Sequence, residues 1–242
     1  MHHAVLEAWS RGASPLHRRD ARAKILALLI FLLVVATAQK RLPLLAALLA
    51  ALVLAAAWRA KLPLPDVLAR SAAILPFAGT FGLVCWLAGD PSRGLALVLK
   101  SYLSALGVLL LVATTPLPSL LRGLEAMRLP RFLLMVAQFL YRYLFVISEE
   151  AQHMRKAAAA RAPGRRWARQ GARFHAAAGA LAVLFARSYG HAAEIHQAML
   201  ARGFTGVFHP LETPRFRARD AVFLLGAGSA PLILRLCVER FA

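Results

Sequence analysis

Few polar side chains in this chain are spaced so that they could do chemistry, and arginine supplies most of that chemistry. Glu194 to Gly206 reads EIHQAMLARGFTG. Its apolar residues Ile195, Ala198, Met199 and Ala201 recur at helical spacing, and it ends Ala201-Arg202-Gly203-Phe204. An arginine in the last turn suits the negative end of a helix dipole. A glycine just beyond accepts the left-handed backbone that stops the helix. Many ordinary helices end this way, but an imperfect echo lies upstream. His153 to Gly164 reads HMRKAAAARAPG and carries Ala160-Arg161-Ala162 before Pro163 stops it. Two helices, each with an arginine at its tip, look like two prongs. A guanidinium fork can pair bidentately with a partner's carboxylate.

Other candidates are weaker. Glu149 and His153 stand at i, i+4, and His191 and Glu194 at i, i+3. Either pair could bind a metal, but such pairs are routine on solvated helix faces, and no metal site is expected. Arg142, between Tyr141 and Tyr143, is read as structural or as a contact to a partner, as are Glu149 and Glu150. Cys85 and Cys237 lie inside apolar runs and read as small buried hydrophobes, with no disulfide framework or zinc spacing. No G-x-x-x-x-G-K-[ST] loop is present, so the chain is not expected to hydrolyse ATP. The apolar runs hold no convergent nucleophile, base or ligand set of the kind an embedded enzyme needs.

The elements that would position these residues belong to a membrane protein. Of 242 residues, 60% are hydrophobic, too many for an ordinary soluble domain. The net charge of +19 would suit nucleic acid. However, the basic residues sit between apolar runs and form no interleaved basic and aromatic surface, so nucleic-acid binding is not expected. Apolar runs at 25–38, 42–58, 67–87, 95–114 and 221–238 predict five spans. Pro76 reads as a kink, Gly79, Gly82 and Gly107 as close-packing positions, and Lys100 as snorkelling. The N-terminal segment and the 59–66 loop carry seven basic residues, against three in the two opposite turns. That places the N-terminus inside.

Between the fourth and fifth spans lies a long basic region, 116–219, with 16 basic and 5 acidic residues. It opens with a short amphipathic helix, PLPSLLRGLEAM. A helix follows from Phe132 to Arg161, greasy in its first half and wet in its second, and is read as leaving the membrane surface for the cytoplasm or lying obliquely across it. Then come a basic loop, Gly164–Arg173, with Trp167 as an interface anchor, and a second long helix, Phe174 to Arg202. The predicted organisation is 1–115, a basic segment and four spans; 116–219, cytoplasmic coupling helices; and 220–242, a last span. The fold class is all-α, a polytopic membrane protein with about five transmembrane helices.

Four segments carry a resemblance to a known family: LHRRDARAK (16–24), TTPLPSLLRGLEAMRLPRFL (114–133), YRYLFVISEEAQHMRKAAAAR (141–161) and AMLARGFTG (198–206). Together they resemble the T component of energy-coupling-factor transporters, the CbiQ/EcfT family. One departure is that the first motif reads Ala-Arg-Ala before Pro163, where the family has Ala-Arg-Gly. The resemblance implies a non-catalytic scaffold in the cell inner membrane. Its partners would be two ABC-type ATPase subunits, a small substrate-binding membrane protein (an S component or a CbiM-like protein) and the lipid bilayer. It further implies that Ala160, Arg161 and Ala162 dock on one ATPase, and Ala201, Arg202 and Gly203 on the other. ATP would be held by those partners, with no cofactor on this chain. The cargo would be a cobalt or nickel ion or a vitamin, with the cobalt-type branch favoured by the C-terminal span and the length. A stand-alone solute carrier is the alternative, but the internal repeat expected of one is not seen.

Overall fold

The computed structural model of the chain describes residues 9–10, 12, 14–38, 42–161, 170–206 and 216–240, with residues 161 and 170–173 as backbone only. The described elements are all helical. They are α1 (Ala21–Thr37), α2 (Leu42–Arg59), α3 (Leu64–Ser71), a 3₁₀ turn (Ala72–Ile74), α4 (Leu75–Leu87), α5 (Pro91–Thr114), α6 (Leu117–Ala126), α7 (Arg131–Arg161), α8 (Gln170–Ala201) and α9 (Ala218–Arg240). They form two compact units: Met1–Arg128 with Pro214–Ala242, and Leu129–Thr213.

Among the described residues, five helical stretches are long and apolar enough to cross a membrane: Leu42–Arg59, Leu64–Leu87, Pro91–Thr114, Arg131–Ala160 and Ala218–Arg240. The sequence reading differs in that Arg131–Ala160 is also long and apolar enough, while α1, read as the first span, has 17 residues and covers about 26 Å, the short end of what spans a hydrocarbon core of about 30 Å.

In the first unit α5 is the central helix. α1, α2, α3 and α4 pack on it, α9 packs on α1 and α2, and α6 packs on α1. Phe31, Val34 and Val35 of α1, Leu45, Leu49 and Val53 of α2, Leu103 and Leu106 of α5, and Val238 of α9 form the core. Outward faces stay apolar; Leu87, for example, is 74% exposed. That is the pattern of a bundle whose outer solvent is lipid. Cys237 also faces outward, contrary to its reading as buried, while Cys85 is half-buried; both are free thiols.

Small residues let α4 and α5 approach closely. A methyl group on Gly94 would lie 2.6 Å from the Gly82 carbonyl oxygen, and one on Gly82 would lie 2.8 Å from Val98. Gly107 meets Phe31 of α1 in the same way, at 2.9 Å. Gly79, read as a close-packing position, faces open space. Pro76 follows directly on the 3₁₀ turn, which interrupts the regular bonding between α3 and α4 while the backbone stays right-handed helical; a proline that removes one helical N–H produces such a break.

Polar ties fasten both ends of α1. Asp20 caps it by accepting from the Arg22 N–H at 2.9 Å. Asp220, buried, accepts from the backbone N–H groups of Asp20 and Arg217, joining the starts of α1 and α9. The Lys24 ammonium is buried and donates to the Thr114 carbonyl and the Thr115 hydroxyl, each at 2.9 Å. It thereby satisfies a carbonyl at the end of α5 that no helical N–H can reach. At the other end, the Lys100 ammonium reaches the last turn of α1 and donates to the Ala36 carbonyl at 2.9 Å. Arg235 of α9 donates to the Thr37 hydroxyl.

Candidate functional site

The arginine tips belong to the second unit. There α7 (31 residues) and α8 (32 residues) pack against each other, each about 46–48 Å long. A cleft of about 600 Å³ runs between them, with Met135, Phe139, Tyr143 and Ile147 on one side and Leu184, Ile195 and Met199 on the other. Glu150 of α7 and Arg187 of α8 form an ion pair at its edge.

The end of α8 explains how Arg202 is presented. The Phe204 N–H donates to the Met199 carbonyl at 3.0 Å, and the Gly203 N–H to the Leu200 carbonyl at 2.9 Å. These are the two bonds of a Schellman motif, and Gly203 holds the left-handed position at φ +79°. Phe204 and Met199 line the same cleft, consistent with the hydrophobic contact that accompanies the motif. Arg202 therefore lies one residue beyond the helix, at its cap, and not inside the last turn as the spacing suggests. Ala201, Arg202 and Gly203 are all exposed, so the guanidinium projects from a turn whose backbone is fully specified.

The first tip is described less completely. α7 ends at Arg161, Ala160 is exposed, and Ala162 lies outside the described residues, as does the 162–169 part of the basic loop with Trp167. The two tips are not side by side. Phe204 shares the cleft with Phe139 near the start of α7, while Arg161 stands 22 residues further along that helix, about 33 Å away. The prongs face two separated places.

The weaker candidates sit on exposed faces. His153 Nε2 lies 3.8 Å from Glu149 Oε1, and His191 Nδ1 lies 3.5 Å from Glu194 Oε2, with all four side chains more than 60% exposed. No group of three metal-type ligands occurs among the described residues. Arg142 is exposed, within a run of aromatic contacts in which Phe139 stacks on Tyr143 and Tyr141 meets Phe145 edge-on. Glu150 has a structural partner in Arg187, which sequence reasoning did not single out. Their opposite charges are visible in the sequence, but the register between the two helices is not.

The profile of the CbiQ family, described as cobalt transport protein, matches residues 12–213. The chain belongs to the CbiQ family. The match takes in both arginine tips and stops short of α9. The cobalt transport protein CbiQ of Rhodobacter capsulatus is 32% identical over 157 residues. The aligned residues cover 64% of this chain and 62% of that relative, less than two thirds of its length. Membership of a transport family, together with helices that can cross a bilayer, makes this chain a multi-pass membrane protein.

Proposed function

We propose that this CbiQ-family chain is the membrane-embedded coupling subunit of an energy-coupling-factor importer for a cobalt or nickel ion or a vitamin, with cobalt favoured. It sits in the inner membrane with its N-terminus in the cytoplasm. It has no catalytic role and no cofactor of its own, since ATP is bound by two ATPase subunits. Residues 116–219 form the coupling region. Ala160, Arg161 and Ala162 dock on one ATPase, and Ala201, Arg202 and Gly203 on the other. Arg142, Glu149 and Glu150 brace the long helices or touch the substrate-binding membrane protein.

The observation that carries the reading is the exposed arginine held on a Schellman-capped turn at the end of a helix about 48 Å long. Such a turn presents one charge in one geometry. A rigid helix behind it transmits displacement, where a flexible linker would absorb it. The separation of the two tips suits two subunits, each gripping one arginine. A buried guanidinium–carboxylate pair, once broken, costs about 2–5 kcal/mol, enough to release a subunit.

The test is a pull-down from native membranes in mild detergent, with bound proteins identified by mass spectrometry, for wild type, Arg161→Glu, Arg202→Glu and the double variant. The wild type should retain ATPase subunits and a small membrane protein, whose identity reports the cargo. Each single variant should lose part of the ATPase, and the double variant nearly all of it. ATPase binding that ignores both arginines would refute the docking assignment.

A further inference from the structure

Among the described residues, two non-glycine residues have positive φ: Lys61 at +58° and Arg128 at +65°. Both are cations, and both stand just past a helix C-terminus, where glycine is the unstrained choice. The Lys61 N–H donates to the Trp58 carbonyl at 2.9 Å, and the Leu62 N–H to the Ala57 carbonyl at 3.1 Å. This is a complete Schellman end to α2, with lysine in the glycine position. The Arg128 N–H donates to the Glu125 carbonyl at 3.0 Å, the corresponding bond at the end of α6.

The two strained cations occupy the same end of the first unit. α6 packs on the start of α1 through Gly123 and Ala21, and Lys24 ties that start to the end of α5. The chain around Lys61 meets the same end, because Ala60 to Pro63 share a cavity of about 350 Å³ with Ser14 and His17. Ala60 and Leu62 are buried on either side of an exposed Lys61, so the turn aims the ammonium outward. Next to it stand exposed Arg59 and Trp58, the latter 73% exposed. An exposed tryptophan beside cations at the end of an apolar helix marks the headgroup layer of a bilayer. α6, with Leu121 and Gly123 buried and Arg128 exposed at its end, has the form of a helix lying in that layer.

We infer that Lys61, with Arg59 and Trp58, and Arg128 seat the phosphates of anionic phospholipids, and that the left-handed strain is retained because charge is needed where glycine would be easier. The helix dipole also favours a cation at these positions. That effect needs no lipid, so lipid dependence separates the two explanations. An acidic face of a protein partner offers the same charge, but Trp58 beside the cations favours the membrane.

The experiment uses the purified full chain in neutral detergent. Thermal midpoints and native mass spectra are recorded with added phosphatidylglycerol, phosphatidylcholine, or inorganic phosphate at the same concentration. The variants are Lys61→Gly, Arg128→Gly, their combination, and the charge-keeping Lys61→Arg and Arg128→Lys. Without lipid, the glycine variants should melt at or above the wild type, by up to about 2–4 °C, which also shows that they fold. With phosphatidylglycerol the wild type should gain stability and retain bound lipid, and phosphatidylcholine or inorganic phosphate should not reproduce this. Each cation removed should weaken phosphatidylglycerol retention about five-fold, and the charge-keeping variants should hold it near wild type. Equal responses to phosphatidylglycerol and phosphatidylcholine would overturn the inference. So would an undiminished phosphatidylglycerol response in the double glycine variant.

Discussion

Gly203→Ala separates the two properties on which the Arg202 tip depends, charge and backbone shape. Gly203 sits at φ +79°, and a methyl group built there meets nothing within 4 Å. Within this chain the substitution adds no clash and removes no contact, so its effect on the turn itself is conformational. Holding an L-residue left-handed costs about 1–2 kcal/mol. The stiffer unfolded chain returns part of this, roughly 0.4–1 kcal/mol. A net cost of about 1 kcal/mol is left, close to a five-fold change in any equilibrium that requires the turn. Arg202→Ala leaves the turn intact and removes the guanidinium. Against a carboxylate buried on a partner, that costs about 2–5 kcal/mol, or roughly thirty-fold and upward. Asparagine tolerates the left-handed region, so Gly203→Asn should lie close to wild type. The assay is the affinity of the isolated ATPase subunits for the detergent-solubilised full chain, with melting curves in parallel to confirm folding. The expected order of binding is wild type, Gly203→Asn, Gly203→Ala, Arg202→Ala. If Gly203→Asn binds as poorly as Arg202→Ala, the turn's shape is not what presents the arginine and the reasoning fails.

Two further predictions concern the first unit. Gly94→Ala drives a methyl group to 2.6 Å from the Gly82 carbonyl oxygen, so α4 and α5 must separate; thermal unfolding in detergent should register a loss of about 1–3 kcal/mol. Gly79→Ala, facing open space in the neighbouring helix α4, should instead gain up to about 1 kcal/mol, and equal behaviour of the two would deny that the crossing is tight. Lys24→Met removes a buried ammonium and strands the Thr114 carbonyl and the Thr115 hydroxyl; a loss of about 2–3 kcal/mol is expected in the same melt, and an unchanged midpoint would mean that the desolvation of the ammonium cancels its hydrogen bonds.

What could be read from the sequence follows the range of the forces involved. Hydrophobic runs report the solvent around a helix, so the all-helical membrane class was visible at once. Stop signals are equally local: Arg202-Gly203-Phe204 announced a capped end, and the backbone bonds of Met199 and Leu200 form it. Boundaries failed where a local rule allows two outcomes. Pro76 can kink a helix or begin one, and here the 3₁₀ turn before it divides α3 from α4 without ending the helical path. The 132–147 run can rest on a membrane or cross it; with the residues that follow it is long enough to cross.

The features out of reach are those fixed by register between distant segments. Glu150 and Arg187 are 37 positions apart, Lys24 and Thr114 are 90 apart, and Asp20 and Asp220 are 200 apart. Each is a polar group near the end or edge of a helix, and in isolation each looks like an ordinary solvated residue. The same blindness hid the separation of the tips. Two similar motifs invite the picture of two parallel prongs, yet the cleft sets Phe204 beside the first half of α7. Because helices joined by a short connection return alongside one another, like motifs at their C-terminal ends fall at opposite ends of the pair. A single partner could not grip both tips without spanning about 33 Å, whereas two partners could each take one. The repeated motif therefore argues for two docking events, and loss of one arginine should leave the other event largely intact.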